Sequence, residues 1–297
     1  MSTQLVPTSF GKSLSLSSIT AAFDAVHPVL SRRFAEYLFL KPQHYKASKE
    51  QESFRDSAVR LRLPLSNCTL HGYRWGSGPA VLLVHGWSGS PLQFMGIAES
   101  LVERGYSCVA FEMPGHGHSS MQAPTVFDFS EAISEIKKYY GSFAAVAGHS
   151  IGALACAHAH KFSPIADKLI LISPLADARA GVTKFGELTG IPLAVLDRMQ
   201  VHMEQKIGVE FSDFTLEALT ASTTEPILAV HDTGDRMAPF EPVASWASQQ
   251  VGARLYSTSG LGHQRLLFDL DVVEKTIDFI GKPRTGLRLN DFVELAL

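Results

Sequence analysis

The chain reads as an α/β protein: a mostly parallel sheet covered by helices, with a helical cap inserted late in the strand order. Three observations predict this. Short continuous apolar runs, such as Ala80-Val-Leu-Leu-Val84, have the composition of strands buried on both faces. Segments with helical spacing alternate with those runs, the pattern of strand–helix–strand units. Between Leu175 and Thr224 the alternation stops, and the chain reads as helices broken by glycines.

Composition bounds what such a chain can be. Its 297 residues are 45% hydrophobic and 19% charged, enough for a large core. The formal net charge is -3, with both signs spread along the chain and no basic stripe interleaved with aromatics, so no nucleic-acid partner is expected. Cys68, Cys108 and Cys156 are isolated in apolar surroundings and read as buried free thiols, without disulfide or metal spacing. No apolar run approaches the roughly 18 residues that span a bilayer, so stable membrane insertion is not expected. Residues 1–20 are rich in Ser and Thr and lack the apolar core of a secretory signal, which points to a cytoplasmic protein.

Taken in order, residues 1–20 read as loosely attached. Apolar residues then recur at helical spacing over residues 19–39 (Phe23, Val26, Leu30, Phe34, Leu38), predicting a helix packed on the domain body, with Pro28 near an early turn. An amphipathic membrane or partner contact through Arg32 and Arg33 is the sharper alternative. Residues 46–56 read as a polar connector. Two alternating stretches, residues 59–65 and 68–75, predict an antiparallel pair at a sheet edge. From Ala80 onward strands are expected at residues 80–84, 106–111, 143–147, 168–173, 226–230 and 254–257, with helices at residues 91–104, 128–140 and 272–280. Within residues 175–224, Pro192 suits a helix start, and Val195, Met199, Met203 and Ile207 follow at helical spacing. A cap placed there covers the C-terminal edge of the sheet, where α/β enzymes bind ligands.

The chemistry concentrates at one stretch. Phe143-Ala-Ala-Val-Ala147 runs into Gly148-His149-Ser150-Ile151-Gly152, and an alanine-rich helical segment follows. This is a G-x-S-x-G pattern with a strand before it and a helix after it, the context of a nucleophile elbow. A serine on so sharp a turn needs neighbours without side chains, which the two glycines provide. A serine also needs a base, and the base needs an orienting acid. Asp235, in the Gly234-Asp235 turn after residues 226–230, and His263, in the Gly262-His263 loop after residues 254–257, follow Ser150 in the expected chain order. Asp232 is the rival acid, closer to the strand end; Asp235 is preferred because its turn can point it back across the sheet edge. The oxyanion donors are expected at the backbone N–H of Ile151 and of Trp87, the latter in His85-Gly86-Trp87-Ser88-Gly89. His85 reads as a brace for that loop. The substrate pocket is expected to include Trp87, Met199 and Met203.

These motifs, together with Phe111-Glu-Met-Pro-Gly-His-Gly-His-Ser119, resemble the α/β-hydrolase superfamily from about Cys68 to Gly281. The resemblance implies an eight-stranded, mostly parallel sheet, a Ser-Asp-His triad and an oxyanion hole, as in esterase- and lipase-like members with a short helical cap. Glu112 stands where that family usually has Asp, at a structural turn. Serine at the elbow argues against the epoxide-hydrolase and dehalogenase branches. The expected organisation is an N-terminal helical extension (residues 1–58), a core (residues 59–174 and 225–297) and a cap (residues 175–224) between strands six and seven. The expected activity is hydrolysis of a small-molecule carboxylic ester through an acyl-enzyme, with no metal or organic cofactor. Amide or thioester hydrolysis, acyl transfer, and a non-catalytic ligand-binding role are the alternatives.

Overall fold

The computed structural model describes residues 9–10 and 14–283. Eight strands form the main sheet: β1 (Val59–Pro64), β2 (Thr69–Gly76), β3 (Ala80–Val84), β4 (Ser107–Phe111), β5 (Ala145–His149), β6 (Leu169–Ile172), β7 (Ile227–Asp232) and β8 (Ala253–Thr258). Their order is β8-β7-β6-β5-β3-β4-β2-β1. β1 pairs antiparallel with β2, and β2 antiparallel with β4; every other pairing is parallel. The alternating stretches therefore lie at the edge, and the continuous apolar runs lie in the middle, where all five residues of β3, β4 and β5 are buried.

Alternate residues of these strands feed two cores, one on each face. Leu82, Val84, Val146, Leu169 and Leu171 pack with α5 (Val126–Tyr140) and α6 (Ile151–Phe162). Val81, Leu83, Ala147, Ile170 and Ile172 pack with α4 (Met95–Glu103) and α10 (Leu270–Ile280). Such double coverage is why these strands carry no polar alternation. Because the central strands are parallel, their C-terminal ends share one edge, and the loops after β3, β5, β7 and β8 converge there.

Between β6 and β7 lie α7 (Ala178–Thr189), α8 (Leu193–Ile207) and α9 (Leu216–Thr220), with Pro192 immediately before α8. The helical N-terminal region departs from the single helix expected. Pro28 lacks an N–H and disfavours helical geometry in the residue before it, so His27 is extended (φ -166°) and separates α1 (Leu16–Val26) from α2 (Pro28–Phe39). Of residues 1–20, expected to be loose, positions 1–8 and 11–13 lie outside the described residues, as do 284–297 of the stretch assigned to the core; Leu16 and Thr20 are buried in α1. This region packs on α8 as well as on the body: Asp24 pairs with Arg198 and accepts from Ser31 Oγ at 2.6 Å. Arg32, one of the two arginines considered for a membrane contact, pairs with Glu36 at 2.9 Å within α2. No helix among the described residues is long and apolar enough to cross a membrane.

The polar connector at residues 46–56 contains a helix, α3 (Lys49–Asp56). Ser48 and Gln51 form a capping box, each side chain bonded to the other's backbone N–H, a pattern that a polar composition hides. Gln51 also donates to Leu92 O at 3.0 Å, and Phe54 stacks on Trp75 at 4.3 Å, fastening α3 to the sheet. Replacing Ser48 by alanine is expected to destabilise the protein by about 1 kcal/mol, read as a lower urea midpoint at unchanged slope.

Candidate active site

The elbow is built by close backbone packing. Ser150 links β5 to α6 with φ 55° and ψ -125°, in the left-handed region that L-residues avoid. A Cβ at Gly148 would sit 2.7 Å from Ala153 Cα, and one at Gly152 only 2.4 Å from His85 O. Glycine at both positions lets α6 start directly against β5 and the loop after β3. The Ser150 N–H donates to Ile172 O at 2.9 Å, which ties the turn to β6.

Around this turn the structure brings together three residues singled out from sequence. His263 Nε2 lies 2.9 Å from Ser150 Oγ, and His263 Nδ1 lies 2.8 Å from Asp235 Oδ2. With Nδ1–H donating to the carboxylate, Nε2 is free to accept the serine proton. Asp235 is buried, and its Oδ1 accepts from the Met237 and Ala238 amides at 2.8 and 3.0 Å. Burial raises its pKa, but His263 and the two amides outweigh that and hold the carboxyl below the usual range.

Asp232, the rival, sits at the end of β7 and faces its own loop. Its oxygens accept from Gly234 N at 2.9 Å, Thr258 Oγ1 at 2.8 Å and Leu261 N at 2.9 Å. It thereby joins the loop carrying Asp235 to the loop carrying His263.

Buried histidines brace the remaining loops. His85 donates from Nδ1 to Gly86 O at 2.7 Å and accepts the Met113 N–H at 2.9 Å, a bracing geometry for the loop after β3. His116 accepts the Ser88 N–H at 2.9 Å and donates to Pro114 O at 3.0 Å. His149 donates to the backbone oxygen of His263 at 2.8 Å, linking the elbow to the loop after β8. His231 donates to Ala238 O at 3.0 Å behind Asp235. Glu112 accepts from His118 N at 2.6 Å and from Tyr73 Oη at 3.2 Å, and its carboxyl fills the space that a Gly117 side chain would need.

A cavity of about 880 Å³ opens above Ser150 and His263. Trp87 and Met203 line it, along with Phe127, Phe185 and Phe211. Met199 does not: one turn earlier on α8, it is fully buried in the core. The missed contributors are residues 37–44, at and after the end of α2, which form one wall. Their helical spacing signalled packing, and nothing local in the sequence reveals which cavity they face. Ile151 and Trp87 border the same space, Ile151 as the first residue of α6, where the helix supplies no partner for its N–H.

Burial holds the His116 pKa down at about 4 and that of His149 at about 3, and it lowers His85 and His231 as well. In the unfolded chain these groups titrate near 6.5. Below that value the unfolded state binds more protons, so stability is full above about pH 6.5 and falls toward pH 4, by up to ~1.4 kcal/mol per pH unit per histidine. The thermal midpoint should therefore drop steadily on acidification; a flat profile would contradict the neutral, buried assignment. Gly152→Ala should cost more stability than a surface Gly→Ala change, seen in the same melts, because His85 O must move.

The alpha/beta hydrolase fold family model matches residues 79–200. Uncharacterized proteins of Mycobacterium tuberculosis and Mycobacterium bovis are 31% identical over 125 residues, 39% of this chain and 35% of their own length. Among solved structures, an esterase of Pyrococcus furiosus superposes with a TM-score of 0.62 at 18% identity, over 81% of this chain and 95% of that one. Est1E of Butyrivibrio proteoclasticus, solved with ferulic acid, gives 0.61 at 21% identity, over 74% and 97%. The thioesterase domain of the curacin biosynthetic pathway gives 0.56 at 18% identity, over 75% and 98%. The family-model match, the strand order and the strained serine turn at the parallel edge together give this chain the α/β-hydrolase fold.

Proposed function

We propose that the protein is a serine hydrolase that cleaves carboxylic esters through an acyl-enzyme. The observation that carries this reading is the continuous relay from Ser150 Oγ through His263 to Asp235, with both links at hydrogen-bond length. In this reading Ser150 Oγ attacks the ester carbonyl carbon while its proton passes to His263 Nε2. Asp235 stabilises the imidazolium through Nδ1–H. The carbonyl oxygen becomes an oxyanion held by the Ile151 and Trp87 amides at the N-terminus of α6 and the loop after β3. Collapse expels the alkoxide, which takes the proton from His263, and the ester C–O bond breaks. Water, deprotonated by the same histidine, then adds to the acyl-enzyme, and the carboxylic acid leaves as Ser150 regains its proton.

The apolar cavity supports an ester with a substantial hydrophobic group, and its volume lies within the range of drug-sized ligand sites. Likeness to both esterases and a thioesterase domain supports assaying thioesters beside oxygen esters.

Hydrolysis of p-nitrophenyl esters and labelling by a fluorophosphonate test the reading directly. Ser150→Ala should abolish both, and soluble wild-type protein that neither labels nor turns over any ester or thioester would refute it. Asp235→Asn should lower kcat by about 10⁴-fold. Asp232→Asn should instead reduce stability, with a much smaller effect on kcat, because its oxygens bond to loop atoms and not to His263.

A further inference from the structure

Residues 37–44 lie outside the stretch matched by the family model, yet they line the same cavity as Ser150 and His263. Three contacts fix this strap in place. Leu40 is buried at the end of α2, and Phe39 meets Phe185 of α7 edge-on at 5.2 Å. Lys41 Nζ donates to Tyr37 Oη at 2.8 Å, bracing the strap on itself. The Gln43 N–H donates to Ser88 Oγ at 2.9 Å, which connects the strap to the loop after β3.

That last bond lands on a strained residue. Ser88 has φ 56°, a conformation that a non-glycine residue holds only when its surroundings impose it. Three hydrogen bonds hold it here: the turn bond from Gly89 N–H to Gly86 O at 3.0 Å, the bond from the Gln43 amide to the Ser88 side chain, and the bond from the Ser88 amide to His116 Nε2. Ser88 directly follows Trp87, whose N–H is the second oxyanion donor in the proposed mechanism. The strap thus touches the hydrophobic space at Phe39 and the anion-stabilising loop at Gln43, four residues apart.

We propose that residues 37–44 are the specificity-determining wall of this site, selecting esters with a long apolar chain and relaying its occupancy to the oxyanion loop through the Gln43–Ser88 bond. The proposal rests on the serine-hydrolase reading. A long chain packs against Phe39 and Leu38 and holds the strap against the body. With the strap held, Ser88 keeps its conformation and the Trp87 amide stays aimed at the carbonyl oxygen. A short acyl group leaves that part of the cavity unfilled and gains nothing from the strap. Binding energy from the remote chain is then spent on orientation at the reacting carbon, so it shows in kcat as well as in KM.

The test uses the full chain, p-nitrophenyl esters from acetate to laurate, and two variants. Ser88→Ala removes the acceptor for the Gln43 amide while leaving the Ser88 amide to His116. It should lower kcat for laurate by about fivefold, the worth of one hydrogen bond, and change acetate much less. Phe39→Leu should raise KM for laurate by a larger factor than KM for acetate. Equal factors for acetate and laurate in both variants, with unaltered thermal midpoints, would overturn the proposal, as would a wild-type preference for acetate. Fluorophosphonate labelling separates the two levels of the argument. A wild-type protein that does not label overturns the hydrolase reading and this proposal together. Full labelling with an unchanged chain-length profile in the variants overturns this proposal alone.

Discussion

Everything at the site depends on how closely the backbone can approach itself around Ser150. The turn from β5 into α6 is possible only where no side chain intrudes, and Gly148 and Gly152 face backbone atoms at distances that exclude a Cβ. Gly86 completes the arrangement from the other side, since a Cβ there would lie 3.0 Å from Ser150 Cβ. Three chain segments therefore meet at van der Waals contact: the end of β3, the end of β5 and the start of α6. The strain in Ser150 is a local cost that the sheet underneath offsets through fully buried strands on both faces.

The loops above this point are held mainly by neutral histidines. His85, His116, His149 and His231 are each buried and donate to backbone carbonyls, and two of them also accept an amide. An imidazole suits such positions because one ring can satisfy a donor and an acceptor at once. Keeping them neutral costs stability in acid, and it also avoids placing a positive charge beside His263, which in the proposed mechanism must become cationic. Asp235 sets a carboxylate beside His263, held by the backbone as well as by His263.

The N-terminal helices change how the cavity should be viewed. The interval between β6 and β7 supplies one side through α7 and α8, and the strap after α2 supplies another. These two parts contact each other through Phe39 and Phe185 and through Asp24 and Arg198. The hydrophobic space above Ser150 is thus shared by segments more than a hundred residues apart in the chain, and neither side closes it alone.

Sequence by itself determined the sheet and the glycine-flanked serine turn, because both leave local marks. A strand buried on both faces must be apolar throughout, and a strained serine turn must be flanked by glycines, so 80–84 and Gly148 to Gly152 were legible. His27–Pro28 and the Ser48–Gln51 box are local too; there the helical stripe and the polar composition masked the break and the cap. Tertiary structure alone decided the rest. Asp232 and Asp235 lie three residues apart, at the end of β7 and in the loop after it, and their carboxylates face different ways, a matter of hydrogen bonds to Thr258, Leu261 and His263 from elsewhere in the chain. Met199 and Met203 share a helix face by spacing, yet one packs in the core and the other lines the cavity. The strap beside Ser88 has no signature at all, since the bond from Gln43 spans 45 residues and exists only once the fold has brought its ends together.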